Sequence, residues 1–280
     1  MALDRLVGAR YVVPLREGGS LPAIVETDDG RSFVVKFQGA GQGAKALVAE
    51  AIVTSLAQAL DLPVPTPAIV DLAEGFGNAE PDPEIQDILQ ASVGANFGLA
   101  YLPGALAFDP AVDREVAAEL AADIVWLDAL VTNVDRSARN TNLLLAQGRL
   151  WLIDHGAALY VHHRWEGWTS RIGSPFPQIK DHVLLPFAGD LVATDDRLRS
   201  HLTDEVLRAI VDDLPDAWLG SESLFPTLAE HRQAYVTYLS ERLNGERRWL
   251  QEAIGAQARG PERLALRLTH RVDANGLARR

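Results

Sequence analysis

The chain has 280 residues, 48% of them hydrophobic, enough to bury one large core or two modest ones, and a formal net charge of -12. That acidity excludes a nucleic-acid backbone or an anionic membrane as the main partner, because both would repel it. The absence of cysteine excludes disulfides, zinc-thiolate sites and cysteine nucleophiles; Met1 to Arg5 has no leader-like pattern and no apolar run reaches a membrane span of roughly 18 residues, so the expectation is a cytoplasmic protein.

Residues 10 to 37 predict three strands, Arg10 to Leu15, Pro22 to Thr27 and Ser32 to Phe37. Asp28-Asp29-Gly30 turns the last two into a hairpin, and the loop Arg16 to Ser20, with Gly18, Gly19 and Ser20, offers backbone amides to a phosphate or serves only as a turn. In the third strand Lys36 alternates with Phe33, Val35 and Phe37 and falls on the opposite face. With only Lys36, Lys45 and Lys180 in the chain, a lysine inside an apolar strand is notable: it is an edge lysine on a wet face or a grip on an anion.

The loop Gly39 to Lys45 leads into a helix of about residues 44 to 60 and is a second candidate phosphate cradle, with Lys45 at the helix start. Val48, Ile52, Ser55, Leu56 and Ala59 form a stripe on this helix, and Glu50 lies nearly opposite it. Glu50 is then a solvated surface acid or the ionic partner of Lys36. Pro63, Pro65 and Pro67 end the helix and start an extended segment through Val70, and Glu74 to Pro83 reads as an exposed loop. Asn96 to Pro103 reads as a strand leading to Gly104, the expected boundary between residues 1–104 and 105–280. Ala100, Tyr101 and Leu102 there would meet an adenine ring through backbone groups.

Asp109-Pro110 predicts a helix cap, and Val116, Leu120, Ile124, Leu127 and Val131 a helix that runs directly into the loop Asn133 to Asn140. Asn142 to Leu145 and Leu150 to Ile153 predict two short strands joined by a turn at Ala146 to Arg149. The chain from Asp154 to His201 reads as irregular, residues 203 to 213 and 224 to 256 as helical, and the Arg-rich stretch after Gly260 as a solvated or loosely docked end.

The chemistry concentrates in Asp135, Asn140 and Asp154. A hairpin returns its exit beside its entrance, roughly 5 Å away, which predicts Asn140 and Asp154 as neighbours. Two hard oxygen donors with room for water and phosphate suit Mg²⁺. Asp135, at the start of the same loop, is left to face an acceptor hydroxyl and take its proton. Each residue alone is an ordinary turn former; their joint spacing is that of phosphoryl transfer from Mg-ATP.

These residues resemble the HipA-like kinases, a bacterial branch of the protein-kinase-like fold. The resemblance rests on Asp135-Arg136-x-x-x-Asn140 with Ile153-Asp154, preceded by Val35-Lys36-Phe37 and the Gly39 to Lys45 loop, and spans roughly residues 10 to 215. It implies an α+β, two-lobed fold, with a small antiparallel-sheet lobe carrying one main helix and a larger, mostly helical lobe. It also implies an ATP- and Mg²⁺-dependent transferase, with Asp135 as catalytic acid, Asn140 and Asp154 on the metal and Lys36 on the phosphates. The acceptor would be a protein serine or threonine. The Asp-Arg order is shared with the phosphoinositide kinases. Ser137 stands where many members have His, His155 stands where the protein-kinase pattern has Phe, there is no G-x-G-x-x-G, and the chain is short for the extra N-terminal domain of toxin-type members.

Three other readings compete: a nucleotide-binding scaffold without transfer, a small-molecule or lipid kinase, and a metal-dependent hydrolase. The last rests on His155, His162, His163 and His182, which fall close together in sequence, although adjacent His162 and His163 would point to opposite sides of an extended segment.

Overall fold

A computed structural model describes residues 2–15, 21–113, 115–220 and 224–260. The loop glycines Gly18 and Gly19 with Ser20, and the Arg-rich stretch after Gly260, lie outside the described residues.

Five strands form a closed barrel in the order β1-β2-β3-β5-β4: β1 (Asp4–Pro14), β2 (Ala23–Thr27), β3 (Ser32–Lys36), β4 (Pro67–Leu72) and β5 (Gly94–Ala100). The expected sheet was wholly antiparallel, but β1 pairs with β4 in parallel over Asp4 to Val7 before pairing antiparallel with β2. The register breaks between Gly8 and Arg10, and bulges of this kind bend a strand so that one segment serves two neighbours. Gly8 sits at that bend because a Cβ there would lie 2.5 Å from Leu72 Cδ2. β1 therefore starts six residues earlier than its sequence pattern suggests.

Alternation along β2 and β3 places Val25, Phe33 and Val35 in a barrel core with Val70 and Leu72. A second, larger core joins helix α1 (Gly43–Ala59), the outer side of β4 and β5 through Ile69, Phe97 and Leu99, and the helices that follow. α1 is buried on every side from Ala46 to Ala57, so its predicted polar face does not exist. It packs on the barrel and also on α5 (Asp204–Asp212) and α6 (Asp216–Leu219), and Trp218 Nε1 donates to Ala95 O at 2.8 Å. A helix enclosed on all sides reads as uniformly apolar, and only long-range packing reveals it.

Between β4 and β5 lies a short helix, α2 (Pro83–Gln90), capped by Asp82 with proline in its first turn. After β5 comes β6 (Leu106–Ala107), then α3 (Ala118–Val131), nine residues beyond the predicted cap. Asp109 does accept from Ala111 N, but Asp113 turns back onto Asp109 N at 2.7 Å and closes a local turn that competes with the helix. α3 ends at Thr132, whose left-handed φ of 55° stops the helix and starts the loop that carries Asp135.

The predicted hairpin forms as β7 (Leu143–Ala146) and β8 (Arg149–Leu152), with Leu143 opposite Leu152 and Ala146 opposite Arg149. Its two-residue turn needs positive φ at both positions, supplied by Gln147 and Gly148. The segment from Asp154 to Gly189 is a run of short 3-10 turns; α4 (Leu191–Leu198), capped by Asp190, interrupts the stretch expected to be irregular. α7 (Leu228–Asn244) and a helix over 248–260 complete the described chain. Among the described residues no helix is long and apolar enough to cross a membrane.

Candidate active site

Lys36 ends β3 with its ammonium buried between two carboxylates. It donates to Glu50 Oε1 at 2.5 Å and to Asp154 Oδ1 at 2.6 Å. Glu50 is not the surface acid that its helix position suggested, since its side chain is wholly enclosed. Burial pushes the Glu50 carboxyl up, and the Lys36 ammonium only partly restores it. Burial also disfavours charge on Asp154, but Lys36 more than reverses this and holds that carboxyl below its ordinary value. On Lys36 burial opposes the charge, and the two carboxylates raise the ammonium above its ordinary value.

Asp154 follows β8 with a left-handed φ of 54°, a conformation that Asp tolerates better than most residues. Its neighbour Gly156 lies against α1: a Cβ there would come 3.2 Å from Glu50 Oε1 and 3.5 Å from Gln42 Oε1. Any side chain would crowd the carboxylate that holds Lys36.

Asp135 stands in the loop after α3, oriented by three asparagines. Its amide donates to Asn133 Oδ1 at 3.2 Å, Asn140 Nδ2 donates to Asp135 Oδ2 at 2.8 Å, and Asn142 Nδ2 donates to Asp135 O at 3.1 Å. The direct bond of Asn140 is thus to Asp135. The ladder reaches from Ile153 N to Asn142 O, so Asn142 is the residue facing the exit of the hairpin. With Nδ2 turned toward Asp135, Asn140 keeps an acceptor oxygen and is exposed, while the Asp154 side chain is 37% exposed. Two hard oxygen donors with solvent access suit a magnesium ion that keeps part of its water.

Beneath this loop lies a buried ionic network. Arg136 Nε donates to Asp128 Oδ2 at 2.5 Å, both side chains being fully enclosed. Its other nitrogens reach Asn142 O, Ile153 O and His155 Nδ1. One guanidinium thereby ties the end of α3, the Asp135 loop and the exit of β8 together. His182 Nε2 adds a bond to Asp128 Oδ2 at 2.9 Å, and its Nδ1 accepts from Leu184 N, which makes Nε2 the protonated nitrogen. Burial would raise the Asp128 carboxyl, but the Arg136 guanidinium and then His182 hold it well below the carboxylate range. Burial and Arg136 push His155 down to about 3, so it is neutral.

Other expected residues lie elsewhere. Lys45 donates to His162 O at 2.7 Å because the start of α1 packs on the turn Tyr160–His163. Of the three expected adenine contacts, Ala100 N donates to Thr66 O at 2.8 Å and Tyr101 N to Ser32 O at 2.9 Å, so both amides are already used. Leu102 alone has no backbone bond to its amide among the described residues. The four histidines of the hydrolase reading do not converge: His155 and His182 serve the Arg136-Asp128 network and His162 contacts Tyr235 Oη at 3.1 Å. His162 and His163 do not splay apart, because a 3-10 turn brings their rings to 4.7 Å. Among the described residues no three metal-ligating side chains of the His, Cys, Asp or Glu type gather at one point.

Asp128 is not singled out by the sequence, and Arg136, Asn133, Asn142 and His182, named there as a motif residue, a loop start, a strand start and a candidate metal ligand, are not assigned the roles they hold here. The available signals were an acid inside an apolar helix for Asp128 and an arginine inside a loop for Arg136; nothing signals the pairing of His182 with Asp128, 54 residues away.

A strand lysine held between a helix glutamate and a hairpin-exit aspartate, with a second aspartate bonded to asparagines in the loop before that hairpin, is the arrangement of a kinase-type phosphotransferase. A family model described as HipA-like kinase matches residues 12–251, and the chain belongs to that family. The crystal structure of CtkA, a proinflammatory kinase of Helicobacter pylori, superposes with a TM-score of 0.59 at 14% identity, over 93% of this chain and 98% of that one. A Golgi casein kinase with Mn/ADP bound gives a TM-score of 0.46 at 13% identity, over 92% of this chain and 74% of that one. At these identities the CtkA likeness concerns the fold alone. No curated protein matches the chain.

Proposed function

We propose that the chain transfers the γ-phosphoryl group of ATP, with Mg²⁺, to a hydroxyl acceptor, a serine or threonine of a protein. The observation that carries this is the meeting of Lys36 and Asp154, 118 residues apart in sequence, in one partly open ion pair. An isolated salt bridge has no need of a lysine that is also pinned by a buried glutamate. Pinned in this way, Lys36 presents an oriented ammonium to the nucleotide phosphates. Glu50 is the positioning residue for Lys36.

In this reading residues 1–104 and 105–280 are two lobes, and Leu102 offers its amide to the adenine between them. Asn140 and Asp154 hold the metal through oxygen. The bound Mg²⁺ supplies neutralisation of charge on the phosphate oxygens. Asp135 accepts the proton of the acceptor hydroxyl; Asn140 holds its carboxylate, while Asn133 and Asn142 fix its backbone. In this reading the enzyme is cytoplasmic, and its formal net charge of -12 disfavours nucleic acid and anionic membranes as partners.

The test is transfer of labelled γ-phosphate to a protein acceptor or to the chain itself, beside nucleotide binding measured separately. Wild type should transfer and Asp135→Asn should bind ATP without transferring. Binding with no transfer by wild type to protein, lipid or small-molecule acceptors would instead establish the scaffold reading.

A further inference from the structure

The rim of the Asp135 loop holds a cation that the transfer step does not use. Arg139 stands one residue before Asn140, is exposed, and among the described residues is in no ion pair. The turn that carries it is fixed. Ser137 N donates to Asn140 O at 2.9 Å, Arg139 N donates to Ser137 Oγ at 3.4 Å, and Asn140 Nδ2 closes the turn onto Asp135 Oδ2 at 2.8 Å. Both asparagine contacts to the Asp135 carboxylate go to Oδ2, which leaves Oδ1 for the acceptor hydroxyl.

A second cation is brought to the same turn. An antiparallel bridge joins Ser137 to His182, and Val183 N donates to Arg136 O at 3.1 Å. His182 is anchored in turn on Asp128 at 2.9 Å, so the segment that carries Lys180 is fastened to the turn that carries Arg139. Among the described residues Lys180 pairs only with its neighbour Asp181, 3.6 Å away, and both side chains are about half exposed. An exposed pair of that kind is worth little and exchanges readily for another partner.

The net charge of -12, Asp135 and Asp154 all repel an acidic acceptor. A basic acceptor would be drawn in without any cation at the rim, and one placed there opposes it. An arginine with no acid of its own beside the proton acceptor therefore favours a carboxylate, which its planar fork binds through two hydrogen bonds. Consecutive Cα atoms lie about 3.8 Å apart, so a side chain within about two positions of the phosphorylated residue comes within reach of Arg139.

We infer that Arg139, with Lys180 as the second cation, is a specificity-determining residue that binds a carboxylate side chain flanking the serine or threonine that receives the phosphate. This rests on the kinase reading, with Asp135 at the acceptor hydroxyl.

The test uses the full-length chain with Mg-ATP and serine peptides carrying glutamate, alanine or lysine at one of the two positions on either side of the serine. At least one glutamate placement should give a kcat/KM about tenfold above its alanine counterpart, through KM, with lysine below both. Arg139→Gln should cost that glutamate peptide about tenfold and leave the alanine peptide and the KM for ATP unchanged. Lys180→Gln should act in the same direction to a smaller degree, and Arg139→Glu should put the lysine peptide first. A wild type indifferent to the flanking charge, or one that prefers lysine, would overturn the proposal. So would an Arg139→Gln loss equal for all peptides, which would place the arginine on the nucleotide phosphates instead. If no peptide is phosphorylated, the proposal falls alone where the chain still labels itself, and falls together with the kinase reading where ATP binds and nothing is labelled.

Discussion

Glu50 accepts from Lys36 at 2.5 Å in a place that solvent does not reach. Asp154, on the other side of the same ammonium, is 37% exposed. Removing the enclosed partner leaves an incompletely compensated charge inside the protein, which typically costs about 3–5 kcal/mol, whereas a partly exposed carboxylate is screened and is worth about 1 kcal/mol or less. Urea denaturation of Glu50→Ala should show the large loss and Asp154→Ala the small one, while Asp154→Ala should weaken binding of Mg-ATP the more. Equal destabilisation by both would contradict the positioning role assigned to Glu50.

Asp135→Asn preserves the shape of the loop but removes the proton acceptor. Phosphate transfer should fall by about 10²–10⁴-fold with nucleotide affinity unchanged. Asn142→Ala leaves the acid in place and loosens it, so a smaller fall in kcat, about tenfold, is expected with the same KM for ATP. Steady-state kinetics on both variants separates the acid from its orienting residue.

Arg136 reaches Asp128, Asn142, Ile153 and His155 from one planar group, and a lysine ammonium cannot reproduce that fork. Arg136→Lys should therefore remain destabilised by about 2 kcal/mol or more despite keeping the charge. A chemical denaturation curve within about 0.5 kcal/mol of wild type would show the network to be dispensable.

His155 is held at about 3 in the folded chain against an ordinary value of 6.5. Between those values the unfolded state binds the additional proton, so stability falls as pH drops below 6.5. From pH 7.5 to pH 5.0 this one residue should remove about 2 kcal/mol. His162 and His182, also depressed by burial, act in the same direction. His155→Phe should show a smaller acid-induced loss than wild type by about that amount, read from denaturation midpoints at the two pH values. An unchanged pH dependence would mean that His155 is protonated when folded.

Much of this was legible in the residues themselves. The strand alternation that set Lys36 against Phe33 and Val35 and the hairpin from Leu143 to Leu152 are local patterns, and local patterns survive into the structure. What failed was decided at long range. Nothing near Glu50 announces that Lys36 of β3 and Gly156 after β8 will meet its side of α1, and nothing near Val7 announces β4. The Arg136-Asp128 network is legible only in outline, because a buried charge declares itself in a sequence only when its partner is close enough to be recognised. Asp128 and Arg136 are 8 residues apart, but Asp128 and His182 are 54 apart.

The central claim is that Asn140 and Asp154 hold one metal ion against the nucleotide while Asp135 faces the acceptor. A crystal structure with Mg²⁺ and a non-hydrolysable ATP analogue tests it directly. The metal should lie about 2.1 Å from an oxygen of each of Asn140 and Asp154, with Lys36 on a phosphate oxygen. A nucleotide bound elsewhere, or a metal that touches neither side chain, would contradict the account.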